Sequence, residues 1–426
     1  MTDTLEIEVT ALGAGGDGIA RRAGQSVILP GALPGETWRA HPAGKRGDAL
    51  LAEGEALIGP PNPDRVPPVC PHVADRCGGC TLQHWSPAAQ ATWKHDRLAE
   101  ALGRAGYRDV VVAPTVATPP RSRRRADFAL RRRQDGSVAI GFHPRGGTDV
   151  IDLHTCEVLD PALFALVAPL RAVLRRLSAL GKEGAAVVNL LDSGPDILLR
   201  TDRTIDATGR RLLAAFAAQL GLPRIAWAER DGLTETAAQS AGVRLDLSGV
   251  EVAPPPGAFL QATRAGEAAI IAAVMAGLPA KLPVRPKLLD LYAGIGTLSF
   301  PLAVRGRVTA MEGSAEAVAA LDAAARKAVA RVQAVRRDLA RQPVLPAELK
   351  SYDLVVLDPP YAGAAEQVAQ LARSPVRHLV YVSCNPVALA RDAAVLRGAG
   401  FAVTAATPID QFLWSAHLES VVAFTR

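Results

Sequence analysis

Apolar and polar positions alternate along this chain with two different periods, and the change from one to the other divides it into parts. From Leu5 to Ile58 the apolar residues come in brief alternating runs, Leu5-Glu-Ile-Glu-Val-Thr, Ser26-Val-Ile-Leu-Pro and Gly31-Ala-Leu-Pro-Gly-Glu-Thr-Trp38, broken by glycines such as Gly13-Ala-Gly-Gly-Asp-Gly. That punctuation predicts a small OB-like β-barrel over residues 1–60. Pro60-Pro-Asn-Pro-Asp-Arg-Val-Pro-Pro then reads as a stiff linker. Residues 86–106 begin with Ser-Pro and carry Trp93, Leu98 and Leu102 at helical spacing, so they predict a helix. The period returns to two at Ala126, Phe128 and Leu130, and two further strands are expected at Ile140 to His143 and at Val150 to Cys156. Residues 160 to 250 alternate apolar helices, such as Leu163 to Leu180, with strands such as Ala186 to Leu191 and Asp196 to Leu199.

Beyond Pro254-Pro-Pro-Gly257 a helix is expected from about Arg264 to Ala276, followed by a repeating strand, loop and helix pattern. The apolar run from Leu379 to Ser383 is dense enough for a strand buried on both faces, and a last acidic strand begins at His417-Leu-Glu419-Ser-Val-Val. The expected fold class is therefore α/β and β multidomain. The barrel spans 1–60, a central α/β domain takes 61–85 and 118–250, and a Rossmann-like C-terminal domain takes 86–117 and 251–426.

Composition sharpens this picture. A chain of 426 residues, 49% hydrophobic, has room for two or three domains, each with its own core. It offers no apolar run of membrane-spanning length, and Met1-Thr-Asp-Thr-Leu-Glu lacks the features of a secretory signal, so a soluble cytoplasmic protein is expected, without membrane and acting as a monomer. The formal charge is +6 and the pI about 9.2, with arginine far outnumbering lysine, which suits an anionic partner held by planar bidentate contacts. A GC-rich genome would also favour arginine, but that explains the amount and not the clustering. Seven of the thirteen residues from Arg121 to Arg133 are arginine. With Ala126, Phe128 and Leu130 on one face of a strand, Arg123, Arg125 and Arg131 project from the other, a row of cations fitted to phosphates.

An odd number of cysteines in such a chain argues against disulfides: Cys70, Cys77, Cys80, Cys156 and Cys384. The first three are spaced C-x6-C-x2-C, and Gly78 and Gly79 let the backbone fold tightly around one inorganic centre, with Cys156 as a remote fourth ligand. Spacing alone leaves zinc and an iron-sulfur cluster level, and either would be structural, with every ligand a protein group. Cys384 is left over. Asn385-Pro386 ends its strand, which puts the thiol at the carboxyl end, where open α/β sheets place their chemistry. A lone buried cysteine is ordinarily inert; a cofactor site upstream changes that expectation. His143 and His154 are assigned no role.

That cofactor site opens with Lys287-Leu-Leu-Asp290-Leu-Tyr-Ala-Gly294-Ile-Gly296. A third glycine and a Gly-Lys-Ser/Thr are both missing, so the loop suits a neutral or cationic nucleoside better than a pyrophosphate. Glu312 ends the second strand 22 residues after Asp290, where a carboxylate commonly holds ribose hydroxyls. Asp338 follows the third strand, and Asp358-Pro-Pro-Tyr361 ends the fourth. Together they describe an S-adenosylmethionine pocket: Glu312 on the ribose, Asp338 near the adenine, Gly294 allowing close approach and Tyr292 packing alongside.

Several of these stretches, "CPHVADRCGGC", "FLQAT", "LDLYAGIGT", "LDPPYAGA", "YVSCNPVALARD" and "HLESV", make the chain resemble the RNA (uracil-5)-methyltransferases along its whole length. The opening strands, through "LPGALPGE" and the run Gly16-Asp-Gly-Ile-Ala, resemble the RNA-binding TRAM domain. The resemblance implies a class I methyltransferase domain and a [4Fe-4S] cluster on Cys70, Cys77, Cys80 and Cys156, in preference to zinc. It implies S-adenosylmethionine contacted by Gln261, Tyr292, Glu312 and Asp358, nucleophile Cys384 and base Glu419. Relatives with the four-cysteine set resemble the ribosomal enzymes, so 23S rRNA is the expected partner and transfer RNA the alternative. The chain departs from the family pattern at Thr263 and Thr297, where relatives carry Asn, and at Tyr361, where they carry Arg. This last change leaves Asp-Pro-Pro-Tyr, the signature of enzymes that methylate exocyclic nitrogens, as a rival chemistry.

Overall fold

A computed structural model describes residues 4–426. Among these residues the first six strands, β1 (Leu5–Glu8), β2 (Ala11–Leu12), β3 (Gly18–Arg22), β4 (Gln25–Leu29), β5 (Thr37–Arg46) and β6 (Ala49–Leu57), make one sheet in the order β1-β5-β6-β4-β3-β2. Its apolar face is built from Leu5, Ile7, Val27 and Leu29. Glu36 clamps the linker to this sheet. Its buried carboxylate accepts from Leu33 N, Trp38 Nε1 and Asn62 N at 2.8, 2.9 and 3.1 Å, and pairs with Arg65. Burial works to raise this acid, but Arg65 and the three N–H donors outweigh it and hold Glu36 down at about 2.

Helix α1 (Pro87–Arg104) starts as expected, with Ser86 accepting from Ala89 N as its N-cap and Pro87 at the first helical position. It lies against the C-terminal sheet and leads into the short β7 (Val116–Ala117). The central sheet follows: β8 (Arg125–Arg132), β9 (Val138–Phe142), β10 (Ile151–Asp152), β11 (Glu183–Leu191), β12 (Gly194–Thr201), β13 (Arg224–Glu229) and β14 (Glu235–Gln239), in the order β10-β9-β8-β11-β12-β13-β14. Ala126, Phe128 and Leu130 of β8 are buried, as their alternation requires.

Two expectations here need correcting. The strand toward Cys156 is only Ile151–Asp152, and Cys156 sits in irregular backbone beyond it. The helix expected from Leu163 to Leu180 is two helices, α2 (Pro161–Phe164) and α3 (Val167–Arg176). Pro169 explains the break: it has no N–H to give to a carbonyl four residues back, so it is accommodated in the first turn of a new helix. Helix α4 (Ala207–Leu220) covers the same sheet, and β15 (Leu245–Leu247) and β16 (Val250–Val252) form a small hairpin after it.

The C-terminal part begins with α5 (Arg264–Ala276). Thr263 caps it, its Oγ1 accepting from Gly266 N at 2.8 Å, which is the role an Asn would have had there. Then β17 (Lys287–Leu291), α6 (Ser299–Ala303), β18 (Arg307–Glu312), α7 (Ala315–Lys327), β19 (Val332–Arg336), α8 (Pro346–Leu349), β20 (Leu354–Leu357), α9 (Ala365–Ala372), β21 (His378–Ser383), α10 (Pro386–Gly398), β22 (Ala402–Asp410) and β23 (Glu419–Thr425) follow. The sheet runs β19-β18-β17-β20-β21-β23-β22-β7, parallel except for β23. Helices cover both faces, so its strands are continuous apolar runs; five of the six residues in Leu379–Tyr381 and Leu354–Val356 are fully buried, and Leu379 is nearly so. Strand order reverses between β17 and β20, and that switch point opens at the carboxyl ends of the strands. Among the described residues no helix is long and apolar enough to cross a membrane.

A candidate active site at the carboxyl ends of the C-terminal sheet

Cys384 follows the last residue of β21 and is half-buried, with Asn385 capping α10 directly behind it. The antiparallel ladder between β21 and β23 pairs Ser383 with Ser420. Continued by one residue, the same register sets Cys384 opposite Glu419. The thiol and the carboxylate, far apart in sequence, therefore meet where one strand ends and its neighbour begins.

Glu419 is buried. Its Oε2 accepts from Gln411 Nε2 at 2.9 Å, while its Oε1 is buried with no hydrogen-bond partner among the described residues. Burial, with the Asp358 charge next in size, pushes Glu419 up to about 8. Burial likewise pushes the Cys384 thiol up to about 12, with Glu419 and Asp358 adding to it. Gln411 then links Glu419 to the other acid. Its Nε2 also donates to Gln261 Oε1 at 2.8 Å, and Gln261 Nε2 donates to Asp358 Oδ2 at 3.2 Å. Asp358 directly follows β20 and is only partly covered, yet enough protein surrounds it that burial raises it to about 7.

The loop after β17 lies beside these groups. Tyr292 sits there at φ 64°, a backbone state that side chains seldom adopt outside sites that hold them in it. Gly294 is at φ 55° with nothing within 4 Å of where a Cβ would be, so its open face can take a ligand. Glu312, ending β18, accepts from Gly294 N at 3.0 Å and Ser314 N at 2.8 Å, which fixes its carboxylate at the rim. Asp338 accepts from Ala340 N and Arg341 N at 3.1 and 3.2 Å after β19. Asp290 is fully buried; Ser299 Oγ donates to its Oδ2 at 2.5 Å, and its Oδ1 has no partner among the described residues. Burial raises Asp290 to about 7, Asp358 and Glu312 contributing. Three neighbouring carboxylates around an open glycine loop suit a cationic nucleoside, so these residues fit S-adenosylmethionine.

A cavity of about 510 Å³ continues from Cys384 to the four other cysteines. Cys70, Cys77, Cys80 and Cys156 all line it, as do Arg123, Arg125 and Phe412. Burial pushes Cys80 up to about 12, and the neighbouring charges of Cys156, Cys77 and Cys70 raise it too, so the set needs a cation to become thiolate ligands. Among the described residues no three His, Cys, Asp or Glu side chains converge as a preformed site for a single ion. The expected row of cations is only partly realised: Arg131 bonds Thr148 O at 3.1 Å and pairs with Glu183 at 3.5 Å, away from the cavity. Arg124, in contrast, is buried, pairing with Glu267 at 2.5 Å and bonding Gln261 O at 3.2 Å. Tyr361 is exposed at the mouth, edge-on to His417 at 6.4 Å.

Sequence reasoning missed Gln411 and the buried Lys94–Asp410 pair beside it, 2.5 Å apart. The available signal was Asp410-Gln411, two polar residues closing an apolar strand shortly before His417-Leu-Glu419.

Comparison with known proteins adds the following. The model of the tRNA (uracil-5-)-methyltransferase family matches residues 278–426. An uncharacterized RNA methyltransferase of Brucella suis is 38% identical over 425 residues, 99% of this chain and 98% of its own. The 23S rRNA (uracil(1939)-C(5))-methyltransferase of Halomonas elongata is 36% identical over 437 residues, 98% of this chain and 88% of its own. Among solved structures, the Pyrococcus abyssi tRNA (uracil-54, C5)-methyltransferase with S-adenosyl-L-homocysteine superposes with a TM-score of 0.74, at 20% identity and 99% coverage of both chains.

Proposed function

The chain belongs to the RNA uracil-5-methyltransferases, and from that premise we propose that Cys384 and Glu419 are the nucleophile and base with which it methylates C5 of a uridine, using S-adenosylmethionine. One observation carries this assignment: the β21–β23 register that sets the thiol opposite a buried carboxylate with one unpartnered oxygen.

Uracil C5 is a poor nucleophile. Addition of the Cys384 S–H across the conjugated C6=C5–C4=O system puts sulfur on C6 and the proton on O4, an enol whose electron pair is available at C5. When bound, the donor supplies an electrophilic methyl group on a sulfonium. As C5 gains its new bond, the O4 proton passes to water and the carbonyl returns. Glu419 Oε1 then takes the C5 proton, the C5=C6 double bond re-forms and the Cys384 sulfur is expelled. A base raised to about 8 is matched to work near neutral pH. The residues that hold the donor are Gln261, Tyr292, Glu312, Asp338 and Asp358, at the strand ends described above. Because the thiol lies inside a cavity, the target base must leave its stack to reach it, which favours an unpaired uridine.

The substrate is 23S rRNA, with the enzyme acting as a cytoplasmic monomer. A full-length relative named for that RNA supports this choice over transfer RNA. Cys70, Cys77, Cys80 and Cys156 hold a [4Fe-4S] cluster, supported by four thiols around one cavity in a three-plus-one spacing. The six N-terminal strands act as a TRAM-type RNA-binding barrel. Anaerobic reconstitution with iron and sulfide, with metal analysis alongside, separates cluster from zinc. Mapping 5-methyluridine in rRNA and tRNA from cells lacking the protein identifies the substrate.

RNA carrying 5-fluorouridine, which has no C5 proton to lose, tests the chemistry. Wild-type protein should form a methylated covalent complex with it, and Cys384→Ala should form none. Full methylation of ordinary RNA by Cys384→Ala would overturn the assignment and favour nitrogen methylation through Asp358-Pro-Pro-Tyr361, which needs no cysteine.

A further inference from the structure

We propose that Gln411 is a positioning residue for Glu419: its amide fixes one carboxylate oxygen as an acceptor, leaves the other for the C5 proton, and ties both to the loop that carries Gln261. This rests on Glu419 being the base. The amide's orientation follows from its partners. Ala262 N–H can only donate, and it reaches Gln411 Oε1 at 2.9 Å, so Nε2 must face the other way. The two protons on Nε2 are then spent on Gln261 Oε1 at 2.8 Å and Glu419 Oε2 at 2.9 Å. Gln261 is thereby oriented with its own Nε2 toward Asp358. The path thus terminates on a carboxylate acceptor at each end, Glu419 on one side and Asp358 on the other.

The position is tightly packed as well. Gln411 is 3% exposed, and a Cβ on Gly266, in the first turn of α5, would come within 2.6 Å of the Gln411 Cβ. The charged or titratable groups nearby are Asp358 and Cys384, together with two closed ion pairs, Lys94–Asp410 from the α1 side and Arg124–Glu267 from the α5 side. Neither pair brings net charge, so among the side chains Gln411 is the donor that favours the ionised base, beside the Ser420 backbone N–H. It does not itself touch the substrate.

Gln411→Met keeps the length and removes both donors. Loss of a hydrogen bond to a charged group displaces a carboxyl by about one pH unit. The rate against pH should therefore move alkaline by that amount, with kcat falling about tenfold at pH 7 and recovering at higher pH. Because the base acts after methyl transfer, a methylated protein–RNA adduct should accumulate with ordinary RNA. Affinity for S-adenosylmethionine should change much less than kcat, and the melting temperature should fall, because the buried Ala262 N–H and Gln261 Oε1 lose their partner. A pH profile left in place, with no adduct, would overturn the proposal. So would a loss of rate that tracks weakened donor binding, which would make Gln411 a scaffold for the 259–263 loop. Should the Met variant fail to fold, Gly266→Ala displaces Gln411 without changing its chemistry and must show the same alkaline displacement; an unmoved profile in that variant also overturns the proposal. Wild-type trapping by 5-fluorouridine RNA keeps the two failures apart. Without trapping the Cys384 and Glu419 assignment falls, whereas trapping with an unmoved Gln411→Met profile removes only this inference.

Discussion

Burial makes a charge on Glu419 costly, which raises its proton affinity and suits it to the proposed role of base. With burial raising it to about 8, the fraction ready to accept a proton grows with pH, so the wild-type rate limited by C5 deprotonation should rise through neutrality and level off above about pH 8. Glu419→Gln should stop the cycle after methyl transfer and leave methylated RNA bound to Cys384, seen as a slow-migrating band on a denaturing gel. Stability should run the other way. Glu419, Asp358 and Asp290 are raised to about 8, 7 and 7, well above ordinary carboxylates. Their contribution is complete below the unfolded values near 4 and is lost as pH climbs toward 8. The melting temperature of the donor-free protein should therefore fall across that window, and cationic S-adenosylmethionine should reduce the fall. At this scale the motifs were legible: Cys384, Glu419, Glu312 and Asp358 all stand at the strand ends where the pattern put them. Gln411 was not, because a glutamine's role is set by whatever faces it, and its partners Ala262, Gln261 and Glu419 come from two different segments.

Pairing between elements decides how those residues meet. Strand β21 could be seen in its apolar run, but not that β23 lies antiparallel beside it, since a ladder's partner and direction leave no local mark. Helix α1 shows the same limit. Its spacing predicted a helix, yet Lys94 on it reaches across to Asp410 at the end of β22, and its Nζ also donates to Phe412 O at 3.2 Å. Burial lowers Lys94 while Asp410 works to keep it charged. The pair pins the segment from Asp410 to Phe412 and so sets where Gln411 begins. Lys94→Met leaves Asp410 buried without its partner and should cost about 3–5 kcal/mol in urea unfolding. Lys94→Met with Asp410→Asn should recover much of that loss, because no unpaired charge remains.

Over the whole molecule, one cavity runs from the four-cysteine set past Arg123 and Arg125 to Cys384, so the central and C-terminal sheets share a single working face. The two ends are also joined through backbone. Thr81 N and Leu82 N, directly after Cys80, both donate to Trp414 O at 2.8 and 2.9 Å, inside the segment that leads to His417 and Glu419. Cys80→Ser should therefore lower the iron bound on reconstitution and also quicken hydrogen exchange between residues 411 and 417, with a matching drop in kcat/KM for RNA. The sequence by itself determined most of the strands and helices, where the donor loop lies and which cysteine stands apart, because hydrophobic period, glycine and proline act over a few residues. Only the tertiary structure decided that this cysteine faces Glu419, that Gln411 bridges Glu419 to Gln261, and that the distant thiols open onto the same cavity. Those facts depend on strand register and on surfaces brought together by burial, and such contacts join residues that no local pattern relates.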